Sequence, residues 1–176
     1  MKPATTAAGD KGARYAKLKH GLPHLYERKW YHWAKEFFDS RNQITLLCAA
    51  NQISKSSTQI RKAIEWAGNP KLWPLLWPEE KCPPRQFWYL YPERSVVTSE
   101  FKHKWVPEFL PRGEFKKHPT YGWKEVYGDR RQLTSIEFNS GVTIYFKTYE
   151  QDVHNLQSGT VHAIFCDEEL PEALYS

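Results

Sequence analysis

Lys55-Ser56 marks the point where a short apolar run gives way to a helical pattern. The run is Ile44-Thr-Leu-Leu-Cys-Ala-Ala-Asn-Gln-Ile-Ser-Lys-Ser-Ser-Thr58. Its first half has the length of one buried strand, and the helical pattern begins at Ser56. A strand, a tight loop ending in Lys-Ser and a helix form the layout of a phosphate-binding P-loop. In that layout the loop Ala49, Ala50, Asn51, Gln52, Ile53, Ser54, Lys55, Ser56, Ser57 surrounds a polyphosphate. Its backbone N–H groups and the positive end of the helix face the anion. Lys55 reaches the β- and γ-phosphates, and the Ser56 hydroxyl holds Mg²⁺. The usual pattern, G-x-x-x-x-G-K-[ST], has glycine where this chain has Ala49 and Ser54. Glycine admits left-handed backbone and close approach to phosphate; alanine and serine add a Cβ at those points.

A second stretch, Val161-His-Ala-Ile-Phe-Cys-Asp167-Glu168-Glu169, is another apolar run, and it stops at acidic residues. The first acid of such a run supports Mg²⁺, and the next activates or orients the attacking water. Asp167 is therefore the metal-supporting candidate and Glu168 the catalytic carboxylate, with Glu169 next in line. Each motif alone also fits a plain strand with a solvated end. The two in this order, about a hundred residues apart, are more specific than either.

The elements that must position these groups follow from periodicity. Residues 1–22 are small, polar and basic and read as a flexible arm, and 23–176 as one P-loop domain. Tyr26, Trp30, Trp33 and Phe37 share a face of a helix expected over about 24–39. Strands are expected at 43–48, 86–91 and 161–166. A helix over 56–67 turns Ile60, Ala63, Ile64 and Ala67 inward, and Gly68-Asn69-Pro70 stops it. The Trp/Pro-rich segment 71–85 reads as an ordered loop. Helix 97–109 carries Phe101, Trp105 and Phe109 four apart, with Pro107 weakening its last turn. Residues 111–129 lack a clean period and read as a loop. Alternation over 134–139 and 142–146 about Ser140-Gly141 predicts a hairpin, and 150–156 a short helical turn.

Composition excludes several classes. Eight Trp, ten Tyr and nine Phe in 176 residues give enough apolar bulk for a sizeable core. The net charge of +5 fits a nucleotide or nucleic-acid partner. No apolar run reaches membrane-spanning length. Cys48, Cys82 and Cys166 are too few and too scattered for a disulfide framework or a zinc site and read as reduced thiols.

The pattern resembles the N-terminal ATPase domain of the large terminase subunit of tailed bacteriophages. The stretches carrying it are Ala49–Ser57, Phe87-Trp-Tyr-Leu-Tyr-Pro92, Thr148-Tyr-Glu-Gln151 and, above all, Leu156-Gln-Ser-Gly-Thr-Val-His-Ala-Ile-Phe-Cys-Asp-Glu-Glu-Leu-Pro-Glu172. The likeness spans roughly Tyr26 to Tyr175 and is loose over 93–130. It implies a three-layer α/β P-loop NTPase fold of the ASCE/RecA-like kind, with a mainly parallel central sheet and an added β-hairpin. It implies an ATP hydrolase, with ATP and Mg²⁺ as cofactors, that powers packaging of double-stranded DNA into a capsid. Lys55 and Glu168 would be catalytic, and Ser56 and Asp167 would hold the metal. Implied partners are double-stranded DNA, a portal protein and a small terminase subunit, in a homo-oligomeric ring in the cytoplasm of a bacterial host. The family's nuclease domain has no counterpart within these residues. Relatives often carry an arginine in the P-loop; here Arg130, Arg131 or a neighbouring subunit would have to supply it. Two other readings are a catalytically impaired nucleotide-binding or structural relic, and another P-loop DNA motor such as a helicase or recombinase.

Overall fold

The computed structural model describes residues 7–26, 29–48, 54–149 and 160–167. Its centre is a five-stranded sheet of β1 (Gln86–Tyr91), β2 (Trp123–Tyr127), β3 (Leu133–Phe138), β4 (Thr143–Thr148) and β5 (Ala163–Cys166), in the order β2-β3-β4-β1-β5. The β1–β4 and β1–β5 ladders are parallel; the β2–β3 and β3–β4 ladders are antiparallel. The sheet is thus open and mixed, not mainly parallel as expected. The antiparallel half comes from the hairpin of β3 and β4 plus β2, which pairs with its outer edge.

The α/β character and the hairpin agree with the sequence reading. In the hairpin turn the Phe138 N–H donates to Val142 O at 2.8 Å, and Gly141 has φ +94°, a conformation that favours glycine. Strand β2 falls within the segment read as a loop. Only Trp123 of this edge strand is buried, and Lys124 and Glu125 face water, so no period of two survives in the sequence.

Strand alternation divides β1 into two faces. Phe87, Tyr89 and Tyr91 point into the main core, which they share with Ile60, Ala63 and Ile64 of α4 (Lys55–Gly68) and with Phe101, Trp105 and Phe109. All four inward residues expected of the 56–67 helix are fully buried. Phe101–Phe109 continues α6 (Arg94–Glu100) as a π-helical segment. Its wider turn accommodates Pro107 and keeps the three rings on one side. The Trp105 Nε1–H donates to Tyr91 Oη at 2.8 Å inside this core. On the opposite face Trp88 and Leu90 lie outside the main cluster, and Tyr145 and Ile164 are exposed. Trp88 and Leu90 are nevertheless buried, at 5% and 4% exposure, so this face is not open to water along β1.

The N-terminal segment expected to be an arm forms α1 (Ala7–Gly21). Most described side chains of α1 face water. Its C-terminal end is docked: Lys17 pairs with Glu114 at 2.7 Å, and Gly21 O accepts from the Arg112 N–H at 3.0 Å. The single helix expected over 24–39 is split into α2 (Pro23–Tyr26) and α3 (His32–Asp39). Extended backbone at Tyr31 lets Trp30 turn edge-on to Phe38 and lean on Phe109. The Trp/Pro-rich connection packs as expected and includes one helical turn, α5 (Trp73–Leu76). There the Trp73 Nε1–H donates to Trp66 O and the Trp77 Nε1–H to His162 O, both at 2.8 Å.

The expected strand at 43–48 does not form. Ile44 and Leu46 are 88% and 83% exposed, and Cys48 is exposed rather than buried in a sheet. A strand needs a free edge to pair with. The Asp167 N–H donates to Leu90 O, so the preceding residue, Cys166, directs its carbonyl to the outer edge of β5. That carbonyl is already taken by the Gln59 side chain of α4. The segment 43–48 does not join the sheet, and β5 pairs with β1 alone among the described strands.

Candidate functional site

In an open sheet with parallel strands, ligands bind beyond the carboxyl ends of those strands. Here β1 and β5 end at Tyr91 and Cys166, with Asp167 immediately after. The Asp167 backbone N–H donates to Leu90 O at 3.1 Å, which fixes where the carboxylate leaves the sheet. The Tyr89 hydroxyl donates to Asp167 Oδ1 at 3.4 Å. Burial, then Tyr91 and Asp167, hold the Tyr89 phenol well above its usual range, so it stays a donor.

The N-terminal part of α4 reaches the same end of the sheet. Gln59, one turn into the helix, donates from Nε2 to Cys166 O at 2.8 Å. The first ladder bond of α4 runs from the Thr58 N–H to Ser54 O, 2.9 Å, and the Thr58 hydroxyl donates to the same oxygen at 2.8 Å. The amides before Thr58 thus stand outside the helical ladder, at the positive end of a fourteen-residue helix. Ser57 and Thr58 are buried, whereas Ser54, Lys55 and Ser56 are half-buried.

Ser54 has φ 67° and ψ 30°, the left-handed region, and its side chain makes no capping bond to α4. The usual P-loop pattern has glycine at this point, and the backbone is left-handed there. A non-glycine residue in this region carries about 1 kcal/mol or more of strain.

The structure therefore brings the Lys55–Ser57 turn and Asp167 to one end of one sheet. Of the other candidates, Ala49, Ala50, Asn51, Gln52 and Ile53 lie outside the described residues, as do Glu168, Glu169 and the 150–156 turn. Arg131 ends a 3₁₀ turn after β2, and three strands separate β2 from β5. An arginine at 130 or 131 is thus positioned away from Asp167 within its own chain. Sequence reasoning missed Gln59, whose role depends on β5 passing beside the second turn of α4. It also missed Tyr89, whose hydroxyl reaches across from the neighbouring strand.

The residues present fit a hard divalent cation. A serine hydroxyl and a carboxylate are oxygen donors, and Mg²⁺ is usually held by one or two such protein groups together with phosphate oxygens and waters. Among the described residues no cluster of three His, Cys, Asp or Glu forms a dedicated metal cage. No helix among them is long and apolar enough to cross a membrane.

Comparison with protein-family models, with curated proteins and with solved structures finds no match to this chain.

Proposed function

We propose that this chain is an ATP-hydrolysing P-loop domain of a DNA-packaging motor, of the kind found in the large terminase subunit of tailed phages. The observation that carries the reading is the Gln59–Cys166 bond. It holds the helix that starts with Lys55-Ser56 against the strand that ends in Asp167. A phosphate loop and an acidic strand end must share one end of a sheet for this chemistry, and the two motifs lie far apart in sequence.

In this reading the α4 amides and Lys55 bind the β- and γ-phosphates. Ser56 and Asp167 hold Mg²⁺, which when bound neutralises charge on the phosphate oxygens. Tyr89 orients the Asp167 carboxylate from behind. Glu168 orients water and takes its proton. The position of Arg131 favours an arginine supplied by a neighbouring subunit, in keeping with a ring. Double-stranded DNA, a portal protein and a small terminase subunit are the partners that the reading carries with it, in a bacterial cytoplasm.

Two observations favour a second reading, a nucleotide-binding or structural relic with impaired turnover: the left-handed Ser54 and the unpaired 43–48 segment. Calorimetric titration of the whole chain with Mg·ATP tests the first step. The motor reading expects binding that Lys55→Ala removes. Absence of binding, or binding indifferent to that substitution, rejects both nucleotide readings.

A further inference from the structure

A cavity of about 470 Å³ opens between α3, α4 and α5, within the usual size of small-ligand sites. Among the described residues, neither Ser54–Ser57 nor Asp167 lines it, so its described walls are separate from those of the phosphate site. Its floor is aromatic and cationic. The Arg61 guanidinium lies 3.7 Å from the Phe38 ring centre and 5.1 Å from that of Trp30. One wall is apolar, made by α5 and the residue before it; its rim residue, Leu75, is 50% exposed. Lys35 and Arg41 also line the cleft, both exposed.

Two residues that line the cavity carry buried donors without a partner among the described residues, Arg61 Nε and Trp30 Nε1. Native structures rarely leave such donors unmatched without a bound water, ion or ligand. Two carboxylates, Asp39 and Glu65, also line the cleft, and Glu65 is only loosely paired with Arg61, at 3.8 Å. Burial pushes the Glu65 carboxyl upward, while Arg61 draws it back down. Flat apolar and aromatic walls accept a planar ring, and the cations of the cleft accept a negative group.

We infer that the cleft between α3, α4 and α5 binds an aromatic anion, a planar ring bearing a carboxylate or a phosphate. The ring lies between the Leu75 wall and the Trp30–Phe38 floor. The anionic group meets Arg61, Lys35 and Arg41. This does not depend on ATP turnover at the phosphate loop.

Calorimetry on the whole chain tests it with two probes, 2-naphthoate and AMP. Inorganic phosphate serves as the ringless control and 2-naphthol as the uncharged one. Binding of either probe, weakened at least tenfold by Arg61→Gln and by Lys35→Glu and unchanged by Lys55→Ala, supports the site. The tighter probe then tells an aryl carboxylate from a nucleotide. Because Lys35 is exposed, its variant decides the matter even if loss of the Arg61 packing disturbs folding. Four results would overturn the inference: neither probe binds, the controls bind as tightly, Lys35→Glu leaves binding unchanged, or Lys55→Ala abolishes it.

Discussion

Gln59 Nε2 and Cys166 O are 107 residues apart in sequence and 2.8 Å apart in space. The bond crosses from the second turn of α4 to the outward carbonyl at the end of β5. It does two things at once. It brings the start of α4 to the end of the sheet where Asp167 follows β5, and it occupies an acceptor that an added strand would otherwise use.

Gln59→Leu removes this donor and leaves a partly buried carbonyl unmatched. A loss of about 1–3 kcal/mol is expected for such an orphan. Urea denaturation of the variant should show a lower midpoint with an unchanged slope. If Gln59 also positions the phosphate turn, ATP affinity falls in the same variant. Wild-type stability and affinity would remove the bond from the account.

Ser54→Gly relieves the left-handed backbone immediately before α4. A gain of about 1 kcal/mol in stability is expected, against a smaller loss from the freer unfolded chain. Loss of the Cβ also makes room for phosphate oxygens, and 1.4 kcal/mol corresponds to a tenfold tighter Kd. Calorimetry with ATP on the wild type, Ser54→Gly and the double variant with Ala49→Gly reads this directly. Equal or weaker binding in the glycine variants would mean that the serine loop is adapted to its ligand.

His24 is fully buried against Tyr121, and burial, with Arg61 nearby, lowers its pKa to about 3. The unfolded chain takes up this proton near pH 6.5 and the folded chain only near 3. Above pH 6.5 both states are neutral and the group adds no pH dependence. Below it the unfolded state binds more protons, so stability falls as the pH drops through this window. The penalty is about 2 kcal/mol at pH 5. His24→Gln should flatten this part of the stability–pH curve, even if it lowers stability at pH 7. An unchanged slope would assign the acid sensitivity to other groups.

Parts of this fold were legible in the sequence because their pattern is local. The α4 face of Ile60, Ala63, Ile64 and Ala67 and the strand Gln86–Tyr91 were read correctly from period and stop signals. The hairpin came from its alternation and its Gly141 turn. The segment 43–48 was not, because its apolar run describes a strand but not whether an edge is open to it. The order β2-β3-β4-β1-β5 is a property of long-range pairing; the mainly parallel sheet was implied by the resemblance, whereas two of the four ladders are antiparallel. Lys55 and Asp167 were legible as residue types with a known division of labour. Gln59 and Tyr89 carry no motif, and only the packing of α4 and β1 on β5 assigns them a part.

If Lys55, Asp167 and Glu168 form one hydrolytic site as proposed, phosphate release from Mg·ATP by the wild type and Glu168→Gln, assayed side by side, will show it. The amide keeps the size of the carboxylate but cannot accept the proton, so release should fall by about 10²–10⁴-fold. ATP binding, measured on the same samples, should stay close to wild type. Hydrolysis in Glu168→Gln equal to a measurable wild-type rate would contradict the assignment of the base, and no release by the wild type above the uncatalysed rate would contradict the ATPase reading.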